Sequence, residues 1–123
     1  MHRILIVDDN ADLADTTALL CDTYGFQARI ESNAFDILQT IDDFRPTIVL
    51  FDIGQPGIDG FEACRLIRAS KGRTIRLVSV TGWVDDNEMI RATEAGFDAC
   101  LVKPVVWNDL LEAMLGQRML TEP

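Results

Sequence analysis

Four short apolar runs, each ending on a polar side chain, constrain this chain more than anything else in it: Arg3 to Val7, Thr47 to Phe51, Ile75 to Val80 and Ala99 to Val102. The first and second are continuous rather than alternating, the pattern of strands covered on both faces. Segments of helical period separate the runs, and such alternation predicts βα units around a parallel sheet. A weaker strand is expected at about 26 to 31. The first helix should span about 12 to 24, with Leu13, Thr17, Leu20, Cys21 and Tyr24 on its inner stripe and Gly25 as its stop. A second, from Ala34 to Asp43, should turn Ala34, Leu38 and Ile41 inward before Arg45-Pro46 ends it. A third is expected from Phe61 to Ala69, and a fourth from a cap at Asp85 or Asp86 to Ala95, closed by Gly96. The last should run from Trp107 to about Gln117, carrying Leu110, Leu111, Met114 and Leu115. Residues 53 to 60 are dense in turn formers and should be an ordered loop. The expectation is an α/β doubly wound domain of five strands and five helices.

At 123 residues the chain suits one domain, 1–123, with no room for a second of ordinary size. Its 48% hydrophobic content argues against disorder. No apolar run is long enough to cross a bilayer, and Asp8 and Asp9 interrupt the N-terminal one before it could serve as a secretory signal. The net charge of −9 repels phosphate backbones, which argues against direct nucleic-acid binding. The basic run Arg65, Arg68, Lys71, Arg73 and Arg76 reads as a solvated helix end and loop. Cys21, Cys64 and Cys100 are widely spaced and His2 is the sole imidazole, so a closed zinc site is excluded. The odd count suits reduced thiols in a cytoplasmic setting.

In an open parallel sheet ligands collect beyond the carboxyl ends of the strands. The residues there are Asp8 and Asp9, Asp52, Thr81 and Lys103. Crowded carboxylates repel, and protonation or a cation must relieve them. A hard, oxygen-preferring ion fits, and Mg²⁺ suits a site with few protein ligands and room for phosphate oxygens. Lys103 adds a positive charge able to pair with Asp52 at rest and with a phosphate oxygen later, and the Thr81 hydroxyl can donate to another. Asp52 then becomes a competent nucleophile toward phosphorus. His2 lies at the far end of the first strand, so a donor histidine must come from a partner.

Asp8-Asp9, Asp52 with Ile53-Gly54-Gln55-Pro56-Gly57-Ile58-Asp59-Gly60, Thr81-Gly82 and Lys103-Pro104 together resemble the response-regulator receiver domain, from about Arg3 to Leu115. The intervals agree: 43 residues from Asp9 to Asp52, 29 to Thr81 and 22 more to Lys103. Thr81-Gly82-Trp83 and Ala95-Gly96-Phe97-Asp98 are similar to receivers associated with hybrid sensor kinases. The resemblance implies a flavodoxin-like sheet of order 2-1-3-4-5 and a phosphoacceptor signalling domain of a two-component or phosphorelay system. It implies Asp52 as acceptor, with Asp9 and the Gly54 carbonyl around Mg²⁺ and Asp8 acting directly or through a water. It also implies a cis Lys103-Pro104 bond and a responsive face built from the fourth helix, fifth strand and fifth helix, roughly residues 84 to 120. The implied partners are a sensor histidine kinase or histidine phosphotransfer domain and a downstream protein, the chain being a monomer or a phosphorylation-dependent homodimer. It would be no enzyme beyond catalysing its own phosphorylation and dephosphorylation.

One position departs. Where the family commonly has an aromatic or histidine three residues before the lysine, this chain has Cys100, which cannot report packing as a ring does. Gly54 offers no side chain to hold a hydrolytic water, and Trp83 is large enough to overhang the phosphate or to dock a partner; slow self-dephosphorylation is expected if it shields. Two other readings compete: a non-phosphorylated receiver scaffold, disfavoured by the retention of all five polar residues, and a small-molecule phosphatase, which would need a cap insertion that is absent. A Gly-rich nucleotide loop or an FMN turn is not found at Asp8-Asp9-Asn10-Ala11.

Overall fold

The computed structural model describes residues 2–8, 10–52, 60–82 and 86–116, without the side chains of residues 11 and 88. Its elements alternate strictly: β1 (Arg3–Val7), α1 (Ala11–Thr23), β2 (Gln27–Glu31), α2 (Ile37–Phe44), β3 (Ile48–Asp52), α3 (Gly60–Lys71), β4 (Arg76–Thr81), α4 (Asp86–Ala95), β5 (Ala99–Val102) and α5 (Trp107–Leu115). The five strands are parallel and ordered β2-β1-β3-β4-β5, the doubly wound order expected.

The continuous apolar runs are explained by two cores, one on each face of the sheet. Side chains alternate across a strand, so Leu5, Val7, Val49, Phe51 and Leu77 face α2, α3 and α4, where they meet Ile37, Ile67, Ala92 and Phe97. Ile4, Ile6, Ile48, Leu50 and Val78 face α1 and α5, where they meet Ala14, Cys21, Leu110 and Met114. A strand between two such layers has no position for a solvated residue until it reaches its end.

The inner stripe of α1 keeps the expected Cys21 but otherwise differs from the expected one. Ala14 and Cys21 are fully buried, while Leu13, Leu20 and Tyr24 are 48%, 36% and 51% exposed. Small residues along the line of contact let the helix approach the sheet closely, and larger ones are left on its shoulders. Helix α2 starts three residues later than expected. The Asn33 side chain accepts from the Phe35 amide at 2.9 Å, a local turn that competes with helix, and the buried residues are then Ile37, Thr40 and Ile41. Arg45, in the left-handed region at φ 54, closes that helix before Pro46.

The basic run is not simply solvated. Arg68 donates to the carbonyls of Gly96 (2.8 Å), Gly72 (3.0 Å) and Ile75 (2.7 Å) and to Asp98 Oδ2 (2.7 Å). The same Asp98 oxygen accepts from the Leu77 amide at 2.8 Å. Lys71 pairs with Asp42, and Arg76 Nε donates to the Ala113 carbonyl. At the amino edge of the sheet these side chains tie the end of α3 to α2 and to the turn after α4, and β4 to α5. Among the described residues no helix is long and apolar enough to cross a membrane.

Candidate functional site

The pairing register sets the level of each residue at the carboxyl edge. Val7 is opposite Phe51, so Asp8 and Asp52 end neighbouring strands at the same height. Both continue the sequence of side chains that faces α1 and α5, and both are nearly buried, at 8% and 6% exposure. Across the next pairs Asp52 lies opposite Val80 and Thr81 opposite Val102, which puts Thr81 one step and Lys103 two steps beyond the level of Asp52. The Lys103 amide donates to the Thr81 carbonyl at 2.7 Å, extending the ladder past the end of β5. The Lys103–Pro104 bond is cis, as expected.

Lys103 Nζ lies 2.5 Å from Asp52 Oδ2. With the Asp52 side chain 7% and that of Lys103 34% exposed, this is a charge-assisted hydrogen bond with one partner largely withdrawn from water. Asp8 is held from the other side: its Oδ1 accepts from the Asn10 amide at 2.9 Å. Asn10 in turn caps α1, its side chain accepting from the Leu13 amide at 3.3 Å. One short segment therefore starts the helix and fixes a site carboxylate, a role the sequence reading had not given to Asn10.

Asp8, Asp52 and Lys103 share the lining of one cleft of about 490 Å³ between α1 and α5. The sequence assigned these three to one site, and they are brought together; Thr81 stands at the adjacent strand end, half-buried. Asp9, Gly54 and Trp83 lie outside the described residues, as does the loop from 53 to 59. The cleft itself was not foreseen, because it depends on how far α5 stands from α1, which no local pattern encodes. Cys100 faces the opposite side of the sheet, partly buried against the core made with α2, α3 and α4.

The donor chemistry fits a hard divalent cation. Two carboxylates end adjacent strands in one cleft, with Lys103 paired to Asp52 beside them. All of the oxygens are of the type Mg²⁺ prefers. The described residues alone supply no group of three metal-ligating side chains; Asp9 and Gly54, which the family resemblance also assigns to the metal, lie outside them.

Residues 4–115 match the response regulator receiver domain family. The chain is 32% identical over 110 residues to the DNA-binding response regulator MtrA of Mycolicibacterium paratuberculosis, a match covering 89% of this chain and 48% of that protein. Among solved structures, a CheY-like receiver domain protein from Methanospirillum hungatei superposes with a TM-score of 0.85 at 30% identity, covering 95% of this chain and 93% of that one. Chemotaxis protein CheY4 of Vibrio cholerae shares the fold with a TM-score of 0.86 at 18% identity, over 96% and 99% of the two chains. The sheet order, the edge residues and these likenesses define a CheY-like receiver module. This chain belongs to the response regulator receiver domain family, whose general role is that of a phosphoacceptor in two-component signalling. It spans about half the length of the curated relatives it matches.

Proposed function

We propose that Asp52 accepts a phosphoryl group from a phosphohistidine on a partner, a sensor kinase or a histidine phosphotransfer domain, with Mg²⁺ held by Asp9, Asp52 and the Gly54 carbonyl and by Asp8 directly or through a water. The observation that carries this reading is the ion pair of a nearly buried Asp52 with Lys103 in the cleft that Asp8 also lines. Bound Mg²⁺ would neutralise the charge that otherwise keeps a phosphoryl group away from carboxylates.

A carboxylate oxygen of Asp52 attacks phosphorus, the phosphorus–nitrogen bond of the donor breaks, and its electron pair returns to the donor imidazole. Lys103, at rest on Asp52 Oδ2, then follows a phosphoryl oxygen, and the Thr81 hydroxyl donates to another. Drawing Thr81 inward moves the chain that leaves β4, and so biases the face made by α4, β5 and α5 toward a second arrangement that a downstream protein or a second copy reads. Cys100 carries no ring to swing with it. The chain's catalysis is confined to forming and losing its own acyl phosphate, and Trp83 shields that phosphate from water. Timing phosphate loss in wild type and Trp83→Ala checks the last point; equal rates would remove the shield.

The reading as a whole is tested by intact mass after incubation with acetyl phosphate, with and without Mg²⁺. Wild type should gain one phosphoryl group only with the metal, and Asp52→Asn none. No gain by wild type in any condition would overturn the reading.

A further inference from the structure

We propose that Cys100 is an oxidation site, at which a peroxide converts the thiol to a sulfenic acid that the buried hydroxyl of Ser79 then holds. The two residues lie opposite each other in the register of β4 and β5. Side chains alternate along a strand, and Leu77 packs on the side of α2, α3 and α4, so Ser79 faces that side as well. Cys100 packs there too. Ser79 is fully buried, and among the described residues its Oγ has no hydrogen-bond partner. Its cross-strand neighbour in β3 is Phe51, a ring, and in β5 the Cys100 thiol, which is only a weak acceptor. A buried hydroxyl left in this state costs free energy. One oxygen atom added to the Cys100 sulfur would supply the acceptor it lacks.

The three thiols differ in access. Cys21 and Cys64 are fully buried, and the Cys64 Sγ donates to the Ala95 carbonyl at 3.2 Å. Cys100 is only partly buried, on a strand at the edge of the sheet. In the reaction the Cys100 thiolate attacks one oxygen of hydrogen peroxide or of an alkyl hydroperoxide. A sulfur–oxygen bond forms and the oxygen–oxygen bond breaks. The departing oxygen leaves with that bond's electron pair and takes the proton the thiol gave up, as water or an alcohol. Sulfur is oxidised by two electrons and the peroxide is reduced by two, and the Ser79 hydroxyl donates to the new sulfenic oxygen. Thr81 and Val102 are the next pair along the same face of these strands, so the modified atom lies beside a residue of the proposed phosphoryl site.

This inference needs no phosphoryl transfer. The full chain, with a metal chelator present, is treated with hydrogen peroxide, sulfenic acid is trapped with dimedone after increasing delays, and the adducts are placed by peptide mapping. Adduct should form at Cys100 at least about tenfold faster than at Cys21 or Cys64, and Cys100→Ala should abolish that fast adduct. Ser79→Ala removes the hydroxyl and should leave the reduced protein no less stable to urea. Its sulfenic acid should nevertheless be lost about fivefold faster than that of wild type, the scale of one net hydrogen bond. No adduct at Cys100, or one no faster than at the buried thiols, overturns the proposal, as do equal sulfenic acid lifetimes in wild type and Ser79→Ala. A Ser79→Ala chain that is destabilised or unfolded when reduced would show that the hydroxyl is already engaged, and overturns it too. None of these results alters the mass experiment on Asp52, which reads phosphoryl gain without peroxide.

Discussion

Asp52 is tolerated in a nearly dry position because Lys103 sits on it, and in the proposed reaction the same lysine would follow the incoming phosphoryl charge. Replacing Lys103 with Ala should slow acetyl phosphate modification about tenfold or more, the scale on which a single oriented charge acts; a mass time course measures it, and an unchanged rate would remove Lys103 from the chemistry. The three cysteines separate by burial. Burial pushes the thiols of Cys21 and Cys64 up to about 11, with Asp22 raising Cys21 further and Arg68 opposing the rise at Cys64. Native-state alkylation should therefore reach half-buried Cys100 first, as peptide mapping would show. The sign of the pH dependence follows from the same shifts. Unfolded thiols ionise near 9, well before these two do in the folded chain, so the unfolded state binds fewer protons between pH 9 and 11. Stability falls across that window, by up to about 1.4 kcal/mol per pH unit for each thiol. Cys64→Ala should flatten the fall measured by denaturant unfolding.

At the scale of elements, the end of α3 and the turn from α4 into β5 are joined through Arg68. Gly96 has φ 115, and a Cβ there would lie 2.7 Å from Arg68 Cγ. Gly96→Ala should cost about 2 kcal/mol or more, from backbone strain and displacement of the guanidinium. Arg68→Met leaves three carbonyls and Asp98 without that donor and should cost a similar amount; urea unfolding checks both. This brace was hidden in the sequence, where five basic residues near one another look like a solvated surface. Only the fold brings Gly72, Ile75, Gly96 and Asp98 around one side chain. The strands were legible because a run apolar at consecutive positions, ended by Asp, Thr or Lys, has few other readings. On the inner face of α1 Cys21 was expected and Ala14 was missed, because a helical period alone does not tell a large residue at the shoulder from a small one at the line of contact. Close contact with the sheet selects Ala14 and Cys21 and leaves Leu13 and Leu20 at the sides. At the site, residue types and spacing sufficed to expect Asp8, Asp52, Thr81 and Lys103 at the carboxyl ends of the strands, where the fold has them, while the cleft beside them is a property of helix placement.

Taken as a whole, the molecule is one sheet shared by two cores, and neither core has a sheet of its own. Damage on either side should therefore be felt by all of it. Ile67→Ala, on the α3 side, and Met114→Ala, on the α5 side, should each lower stability by about 2–5 kcal/mol. Each should leave a single unfolding transition of unchanged denaturant slope; two separable transitions would show that the layers fold apart. The shared sheet also makes the site possible. Strands β1, β3, β4 and β5 deliver their terminal residues to one edge at levels set by register, so residues far apart in sequence converge on Asp52. The central claim is that this convergence makes Asp52 the phosphoryl acceptor. Borohydride reduces an aspartyl phosphate to homoserine and leaves free carboxylates intact, so the chain is treated with acetyl phosphate and Mg²⁺, reduced, digested and sequenced by tandem mass spectrometry. Homoserine at position 52 alone is the predicted result; homoserine at Asp8, Asp9 or any other aspartate, with position 52 unaltered, would contradict it.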